Sequence, residues 1–419
     1  MSRHAISAAC RSAPLWWSAA VPLTVGAGLL VAADGSPSWR FIRVMLVVVA
    51  VGSVLALRAT DGRWAGGAAM VVGVVGLAMG LGIGLRFALA GEVWWRGAVG
   101  IAVLLAALVL TVIGLRSVVA GLPRWQRVAV RFVAVPGVLV VLSIVLPGVL
   151  ATNVPPTTLG AKRLAEFGVV ARDVEYLADD GTHLSAWYVA SHNGAAVVLR
   201  HGAGSTRTSV IAQAVVLARH GYGVLLTDAR GHGRSGGRAM DFGWNGDADI
   251  TASVSFLADQ PDVELNRIGV VGLSMGGEEA IGAAAADDRI SAVVAEGATG
   301  RVAADKAWLN EAYGWRGRVQ QGVEWLQSAV TDVLTEARRP GSLAASVRAA
   351  APCRFLLIAA GEVADEPRAA DHIREAAPDR VSVWVVPGAG HTEGLATDPS
   401  GWESRVIAFL ASTLGAAAG

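Results

Sequence analysis

Four stretches within the first 152 residues are long, apolar and free of charged side chains. An α-helix rises 1.5 Å per residue, so about 20 apolar residues are needed to cross roughly 30 Å of hydrocarbon. Tryptophans lie near the ends of these stretches, as is typical of residues at a membrane interface. The pattern predicts membrane-spanning helices at 15–33, 64–85, 97–115 and 132–152.

A fifth apolar stretch is shorter. Val44–Leu57 provides 14 uncharged residues between Arg43 and Arg58, which is about 21 Å of helix. It can span if the flanking arginines extend to the interface or the bilayer thins. We count it as a fifth span, at 41–59. The alternative, four spans, would place both chain ends on the same side of the membrane.

Positive charge decides the orientation of five spans, because loops on the cytoplasmic side are enriched in arginine and lysine. The two sides carry eight and four arginines, and Lys162 and Arg163 after the last span narrow the difference to eight against six. The count places the N terminus inside and the C-terminal part of the chain outside. The spans contain no ionisable residue near the middle of the membrane, which favours a membrane anchor over a transporter. The eight are Arg3, Arg11, Arg58, Arg63, Arg116, Arg124, Arg127 and Arg131, and the four are Arg40, Arg43, Arg86 and Arg96.

Beyond the spans the pattern changes to short apolar runs that alternate with helical stretches. This alternation is typical of a mostly parallel sheet whose strands are joined by helices on both faces. We predict an α/β domain at 165–419, after a linker at 153–164 that contains Pro155 and Pro156. The expected strands are Val174–Leu177, Leu184–Val189, Ala195–Arg200, Val224–Thr227, Ile268–Val271, Ala292–Ala295, Phe355–Ala359 and Val381–Val386. The expected helices are Ser209–Arg219, Asp247–Leu257, Gly276–Ala285, Pro367–Ala376 and Trp402–Leu414.

Composition agrees with this division. Residues 1–150 contain 12 arginines and three acidic residues, whereas the remainder contains 23 basic and 31 acidic residues. A basic apolar part and an acidic polar part are typical of a membrane region followed by a soluble domain. The sequence contains no stripe of basic residues that would indicate nucleic-acid binding. The two cysteines, Cys10 and Cys353, lie too far apart in sequence to indicate a disulfide framework.

The chemistry is concentrated in the segment Gly272-Leu-Ser-Met-Gly276, which follows one predicted strand and precedes one predicted helix. A tight strand-to-helix turn exposes the central serine, and the two glycines remove side chains that would collide there. Ser274 is therefore the candidate nucleophile. The backbone N–H groups of Met275, at the helix start, and of Ala203, in the loop after the first central strand, are candidate oxyanion donors.

Four segments together resemble the α/β-hydrolase superfamily. They are His201-Gly-Ala-Gly204, Asp228-Ala-Arg-Gly-His-Gly-Arg-Ser235, Gly272-Leu-Ser-Met-Gly-Gly277 and Gly388-Ala-Gly-His391. The entry at 180–188 and the preceding apolar segments are similar to membrane-anchored hydrolases related to serine aminopeptidases and dienelactone hydrolases. The resemblance covers about 165–415, and it implies a triad in the chain order serine, acid, histidine.

His391 fits the histidine of that triad, since a strand followed by Pro-Gly-Ala-Gly delivers it to a loop. His201 and His232 lie in segments that more often shape loops through hydrogen bonds. The acid is expected after the strand Phe355–Ala359, and Asp365 is our choice. Glu362 and then Glu296 are the alternatives, because either type of carboxylate can orient the histidine.

An insertion at about 300–350 contains aromatic side chains among charged ones and is expected to form a helical lid. The resemblance implies hydrolysis of an ester, thioester or amide through an acyl-serine intermediate. It implies no metal and no organic cofactor, and the expected partners are an acyl substrate and the lipid bilayer. A peptidase and a non-catalytic membrane sensor or scaffold that uses the fold only for binding remain alternatives.

Overall fold

A computed structural model of the chain describes residues 24–28, 48, 52, 63–90, 94–155, 157–239 and 241–415. The chain divides into two compact units. The first comprises Met1–Pro155 and Leu326–Glu336, and the second comprises Pro156–Trp325 and Ala337–Gly419. The predicted spans at 15–33 and 41–59 lie outside the described residues, apart from a helical stretch at 24–28 and positions 48 and 52.

The described part of the first unit contains three long apolar helices, α1 (Arg63–Ala88), α2 (Trp94–Val119) and α3 (Arg124–Thr152). Each is long and apolar enough to cross a membrane. They contain the spans predicted at 64–85, 97–115 and 132–152. α1 and α2 pack closely: a Cβ at Gly80 would lie 2.6 Å from the Cα of Leu104, so only glycine permits this approach. Small residues at helix contacts are typical of packing in lipid, where close van der Waals contact drives association.

The first unit also includes a piece of the insertion. Gln327 donates from Nε2 to the carbonyl oxygen of Ser143 at 2.8 Å. Leu334 is buried in the same apolar cluster as Val145 and Val149. Within the insertion predicted at about 300–350, residues 326–336 belong to the first unit and the rest to the second. Apolar residues on one face of a helix predict burial without identifying the surface that buries them.

The second unit contains an eight-stranded sheet in the order β1-β2-β4-β3-β5-β6-β7-β8. β2 runs antiparallel to β1 and β4, and the remaining neighbours are parallel. Each predicted strand is present, with ends within two residues of the expected ones. The strands are β1 (Arg172–Leu177), β2 (His183–Val189), β3 (Ala196–Arg200), β4 (Gly223–Thr227), β5 (Ile268–Leu273), β6 (Ile290–Glu296), β7 (Arg354–Ala360) and β8 (Val381–Val386).

Helices cover both faces of this sheet, which is why its central strands are continuously apolar. Val198 of β3 belongs to one buried cluster and Leu199 to another on the opposite face. The five predicted helices are present, three more form in the insertion, and a short helix follows His391. The helices are α4 (Ile211–Arg219), α5 (Gly246–Ala258), α6 (Met275–Ala286), α7 (Leu309–Tyr313), α8 (Trp315–Leu334), α9 (Leu343–Ala349), α10 (Asp365–Glu375), α11 (Gly394–Thr397) and α12 (Pro399–Leu414).

The buried carboxylate of Asp305 joins the two ends of the insertion. Its Oδ2 accepts the N–H groups of Arg301 and Val302 at 3.0 and 3.1 Å. Its Oδ1 accepts the N–H of Leu343 at 2.6 Å. Burial raises the pKa of Asp305, and the three donors oppose that rise. One side chain therefore joins both ends of the insertion.

Candidate active site

Ser274 lies in the turn between β5 and α6 with the unusual backbone angles φ 54° and ψ −124°. Positive φ is costly for a residue with a side chain, and such residues concentrate at functional sites. The two glycines make the turn possible. A Cβ at Gly272 would lie 2.1 Å from the carbonyl oxygen of Gly276, and a Cβ at Gly276 would lie 2.6 Å from that of His201. The strained turn holds the serine hydroxyl at the C-terminal edge of the sheet, where α/β folds bind ligands.

Three side chains form a continuous hydrogen-bonded series. The Oγ of Ser274 lies 2.8 Å from Nε2 of His391. The Nδ1 of His391 lies 2.6 Å from Oε1 of Glu366. Since a carboxylate can only accept, Nδ1 carries the proton and Nε2 is free to accept the proton of Ser274. The hydrogen bond that Nδ1 donates to Glu366 is the largest influence on the pKa of His391 and raises it above the ordinary value.

The carboxylate beside His391 belongs to Glu366, not to Asp365. Asp365 is half-exposed, and its Oδ1 accepts from the hydroxyl of Tyr313 at 2.9 Å. Glu362 is exposed after the end of β7. Glu296 is buried close by, but its oxygens accept from the N–H of Gly394 and the indole N–H of Trp402. The structure therefore corrects the choice of acid by one residue.

The geometry of α10 explains this difference. Successive residues of a helix point about 100° apart, so Asp365 and Glu366 at its start face different directions. Glu366 shares the buried face of the helix with Ala369, Ala370 and Ile373, at the spacing of an amphipathic stripe. Its Oε2 also accepts the N–H of Ala360 at 2.8 Å, which fixes the carboxylate. That stripe is a signal in the sequence that identifies Glu366, whereas the distance from the preceding strand does not.

The two expected oxyanion donors flank the serine. Met275 is the first residue of α6, and a first-turn N–H has no partner within its own helix. Gly202 packs against the serine, since a Cβ there would lie 3.1 Å from Cβ and 3.7 Å from Oγ of Ser274. The peptide that joins Gly202 to Ala203 therefore borders the hydroxyl. The helix dipole and these N–H groups provide a site for negative charge.

Parts of this chain are similar in sequence to known proteins. The family model of the serine aminopeptidases (S33) matches residues 191–339, which include Ser274. A thiohydrolase of Aspergillus aculeatus is 36% identical over 126 residues, which are 29% of this chain and 40% of the relative. An uncharacterised protein of Mycobacterium tuberculosis is 36% identical over 116 residues, or 27% of this chain and 41% of the relative. The match thus spans about two fifths of each curated relative.

A solved esterase of Pyrococcus furiosus has a similar fold. It superimposes with a TM-score of 0.50 at 25% identity, covering 62% of this chain and 98% of the esterase. The chain belongs to the α/β-hydrolase superfamily. The family match ends before β7, so the placement of Glu366 and His391 beside Ser274 is an observation of the structure and not of the matched segment.

His201 and His232 shape the loops beside the serine. Nε2 of His201 accepts the N–H of Ala229 at 2.9 Å, so Nδ1 carries the proton and donates to the carbonyl oxygen of Gly202 at 2.7 Å. Burial lowers the pKa of His201 well below its ordinary value, which keeps the ring neutral. His232 accepts the N–H of Gly204 at 3.3 Å. Both histidines thus hold the loop that contains Ala203.

The insertion contacts the helices that carry Glu366 and follow Ser274. The Tyr313 hydroxyl donates to Asp365, and Arg368 donates to that hydroxyl at 2.9 Å. At its start, the N–H groups of Thr299 and Gly300 donate to Oε1 of Glu278, at 3.1 and 2.8 Å. Glu278 lies four residues after the serine on α6. The insertion is therefore attached both to the nucleophile helix and to the helix that carries Glu366.

Proposed function

We propose that the chain is a membrane-anchored serine hydrolase that cleaves an ester, thioester or amide through an acyl-serine intermediate. The series Ser274–His391–Glu366, with distances of 2.8 and 2.6 Å, carries the proposal. Such a series activates a serine, because the histidine accepts the hydroxyl proton while the carboxylate orients the ring and stabilises its charge. A protein that only binds a ligand does not need a buried carboxylate to orient a half-exposed histidine towards a serine.

The reaction follows from the positions of these groups. Nε2 of His391 takes the proton as Oγ of Ser274 attacks the acyl carbon, and the N–H groups of Met275 and Ala203 hold the oxyanion. The protonated His391 then gives its proton to the leaving group, and the carbonyl re-forms as an acyl-serine. Water, deprotonated by His391, attacks this ester, and His391 returns the proton to Oγ of Ser274 as the acid product leaves. Glu366 accepts the Nδ1 hydrogen bond throughout.

Two relatives suggest the type of bond. The thiohydrolase and the esterase are named for thioester and ester hydrolysis, and both substrates present an acyl carbon with a good leaving group. The matching family model is that of aminopeptidases, which favours an amide as the second candidate. These alternatives share every step above and differ in the leaving group. A panel of reporters with one acyl group and different leaving groups therefore separates them.

The three apolar helices support a multi-pass anchor in the membrane. The arginine count favours a catalytic domain on the extracytoplasmic side. A membrane-impermeant fluorophosphonate tests this orientation: it should label the protein in intact cells as strongly as in lysed cells. Labelling that appears only after lysis would place the domain in the cytoplasm.

The catalytic proposal is tested with the full chain in detergent, because residues 326–336 belong to the N-terminal unit. Wild type should react with a fluorophosphonate and hydrolyse short p-nitrophenyl esters, thioesters or aminoacyl anilides. Ser274→Ala should lose both properties. Ser412→Ala is a matched control, since Ser412 is exposed on α12 and its hydroxyl donates within its own helix to the carbonyl oxygen of Phe409. Equal labelling and turnover by Ser274→Ala and wild type would contradict the assignment.

A further inference from the structure

Glu296, the last residue of β6, bonds to segments on both sides of the triad. Its carbonyl oxygen accepts the N–H of Ser274 at 2.7 Å. Its carboxylate is buried, and Oε1 accepts the N–H of Gly394 at 2.7 Å, three residues after His391. Oε2 accepts the indole N–H of Trp402 at 3.1 Å. One residue therefore fixes the nucleophile turn through its backbone and the histidine loop through its side chain.

The histidine loop needs such a support. Thr392, next to His391, has φ 59°, a conformation that is unfavourable for a β-branched residue and persists only where the surroundings enforce it. The ring of His391 packs on the residue that follows Glu296: a Cβ at Gly297 would lie 2.9 Å from Cε1 and 3.0 Å from Nδ1. Glu366 accepts from Nδ1 and fixes the ring, and the hydrogen bond that the N–H of Gly394 donates to Glu296 fixes the chain that follows.

The charge of this carboxylate also faces the site. Both oxygens accept N–H donors, an arrangement that suits the ionised form. Three carboxylates act on His391, from α10, α6 and the end of β6: Glu366, Glu278 and Glu296, and all three raise its pKa. Glu366 holds the ring directly, and Glu278 accepts from the start of the insertion. Burial raises the pKa of Glu296, and the donors Gly394 and Trp402 oppose that rise.

We propose that Glu296 is a positioning residue of this hydrolase. Its carboxylate holds the loop that aims His391 at Ser274, and its negative charge stabilises the imidazolium formed when His391 takes the serine proton. This inference rests on the proposed serine-hydrolase function. It assigns to Glu296 a role distinct from that of the triad acid, since Glu296 contacts the loop of the histidine and not its ring.

Two variants separate charge from shape. Glu296→Gln has nearly the same shape but is neutral. Its amide NH₂ group would face one of the two N–H donors, so that donor would lose its acceptor. Glu296→Asp keeps the charge but is shorter. We expect Glu296→Gln to lower kcat roughly 10- to 100-fold, as loss of an outer partner of a functional histidine does, with KM little changed. The acid limb of its kcat/KM profile should move to lower pH, because a neighbouring negative charge has been removed. Glu296→Asp should lower kcat yet keep the acid limb in place.

Trp402→Phe is the matched control, since it removes one donor and leaves both the carboxylate and Gly394. It should keep the wild-type acid limb even where it lowers stability, which thermal unfolding measures for every variant. A folded Glu296→Gln enzyme with the wild-type kcat and acid limb would overturn the positioning role while the hydrolase activity stands. If Glu296→Gln does not fold, Glu296→Asp still tests the charge, because it keeps it. An acid limb displaced in Glu296→Asp would contradict the claim that the negative charge of Glu296 stabilises the imidazolium. Absence of turnover and labelling in wild type would contradict the proposed function, and the role of Glu296 with it.

Discussion

The Nδ1 atom of His391 lies 2.6 Å from Oε1 of Glu366, and the neighbouring carboxylate of Asp365 is directed to Tyr313 instead. Two adjacent acids on the first turn of α10 thus have different partners. Glu366→Gln should lower kcat by about 10³- to 10⁴-fold, as loss of the triad acid does when the histidine adopts the wrong tautomer. Asp365→Asn should retain close to wild-type kcat. Steady-state turnover of one ester reporter measures both.

The reverse ranking would contradict the assignment of Glu366. If Asp365→Asn loses as much kcat as expected for Glu366→Gln, then Asp365 reaches His391 in the working enzyme. Thermal unfolding of both variants is the necessary control, because Glu366 also accepts the N–H of Ala360. The comparison of kcat uses only variants that are folded at the assay temperature.

The pH dependence of kcat/KM should follow the ionisation of His391. The base must be neutral to accept a proton, so activity falls as pH drops through the pKa of His391. The hydrogen bond that His391 donates to Glu366 raises that pKa above its ordinary value of 6.5, so the acid limb of wild type should be centred above pH 6.5. In Glu366→Gln the limb should move to lower pH. An acid limb below pH 6.5 in wild type would be inconsistent with the geometry.

Gly297 provides the space for the histidine ring. Gly297→Ala should reduce kcat more than 10-fold, because the added Cβ would lie 2.9 Å from Cε1 of His391 and a displacement of about 1 Å at a catalytic group can cost that much. Gly168→Ala is the control for positive φ alone. Gly168 has φ 76° and no atom within 4 Å of the added Cβ, so this variant should lose only about 1 kcal/mol of stability. Equal activity of the two variants would show that the ring does not depend on Gly297.

The base of the insertion depends on Asp305. Asp305→Ala should lower the free energy of unfolding by on the order of 3 kcal/mol, since it leaves three buried N–H groups without their acceptor. Asp379→Asn, at an exposed carboxylate, should stay within about 0.5 kcal/mol of wild type. Chemical denaturation of the full chain measures both. A midpoint for Asp305→Ala equal to that of Asp379→Asn would contradict the role of Asp305.

Much of the α/β domain was predictable because its sequence signals are local. The central strands are buried on both faces, so runs such as Phe355–Ala359 indicate strands without ambiguity. Ser274 was predictable since the Gly-x-Ser-x-Gly turn requires its glycines at fixed positions. His391 followed because a strand delivers it to a loop.

The features that the sequence did not predict depend on the direction in which a side chain points and on contacts between residues far apart in the chain. The spacing after β7 could not distinguish Asp365 from Glu366, because the two differ by a rotation about the helix axis and not by a distance along the chain. The stripe of Glu366, Ala369, Ala370 and Ile373 contained that information. The placement of 326–336 in the first unit depends on contacts with residues about 180 positions earlier, which no local pattern encodes.

The central claim is that Ser274 is the nucleophile and that His391 activates it. The most direct test is peptide mapping by mass spectrometry after the full chain reacts with a fluorophosphonate. We predict one adduct, on the peptide that contains Ser274, and its loss in His391→Ala. An adduct on another serine, or undiminished modification of Ser274 in His391→Ala, would contradict the account.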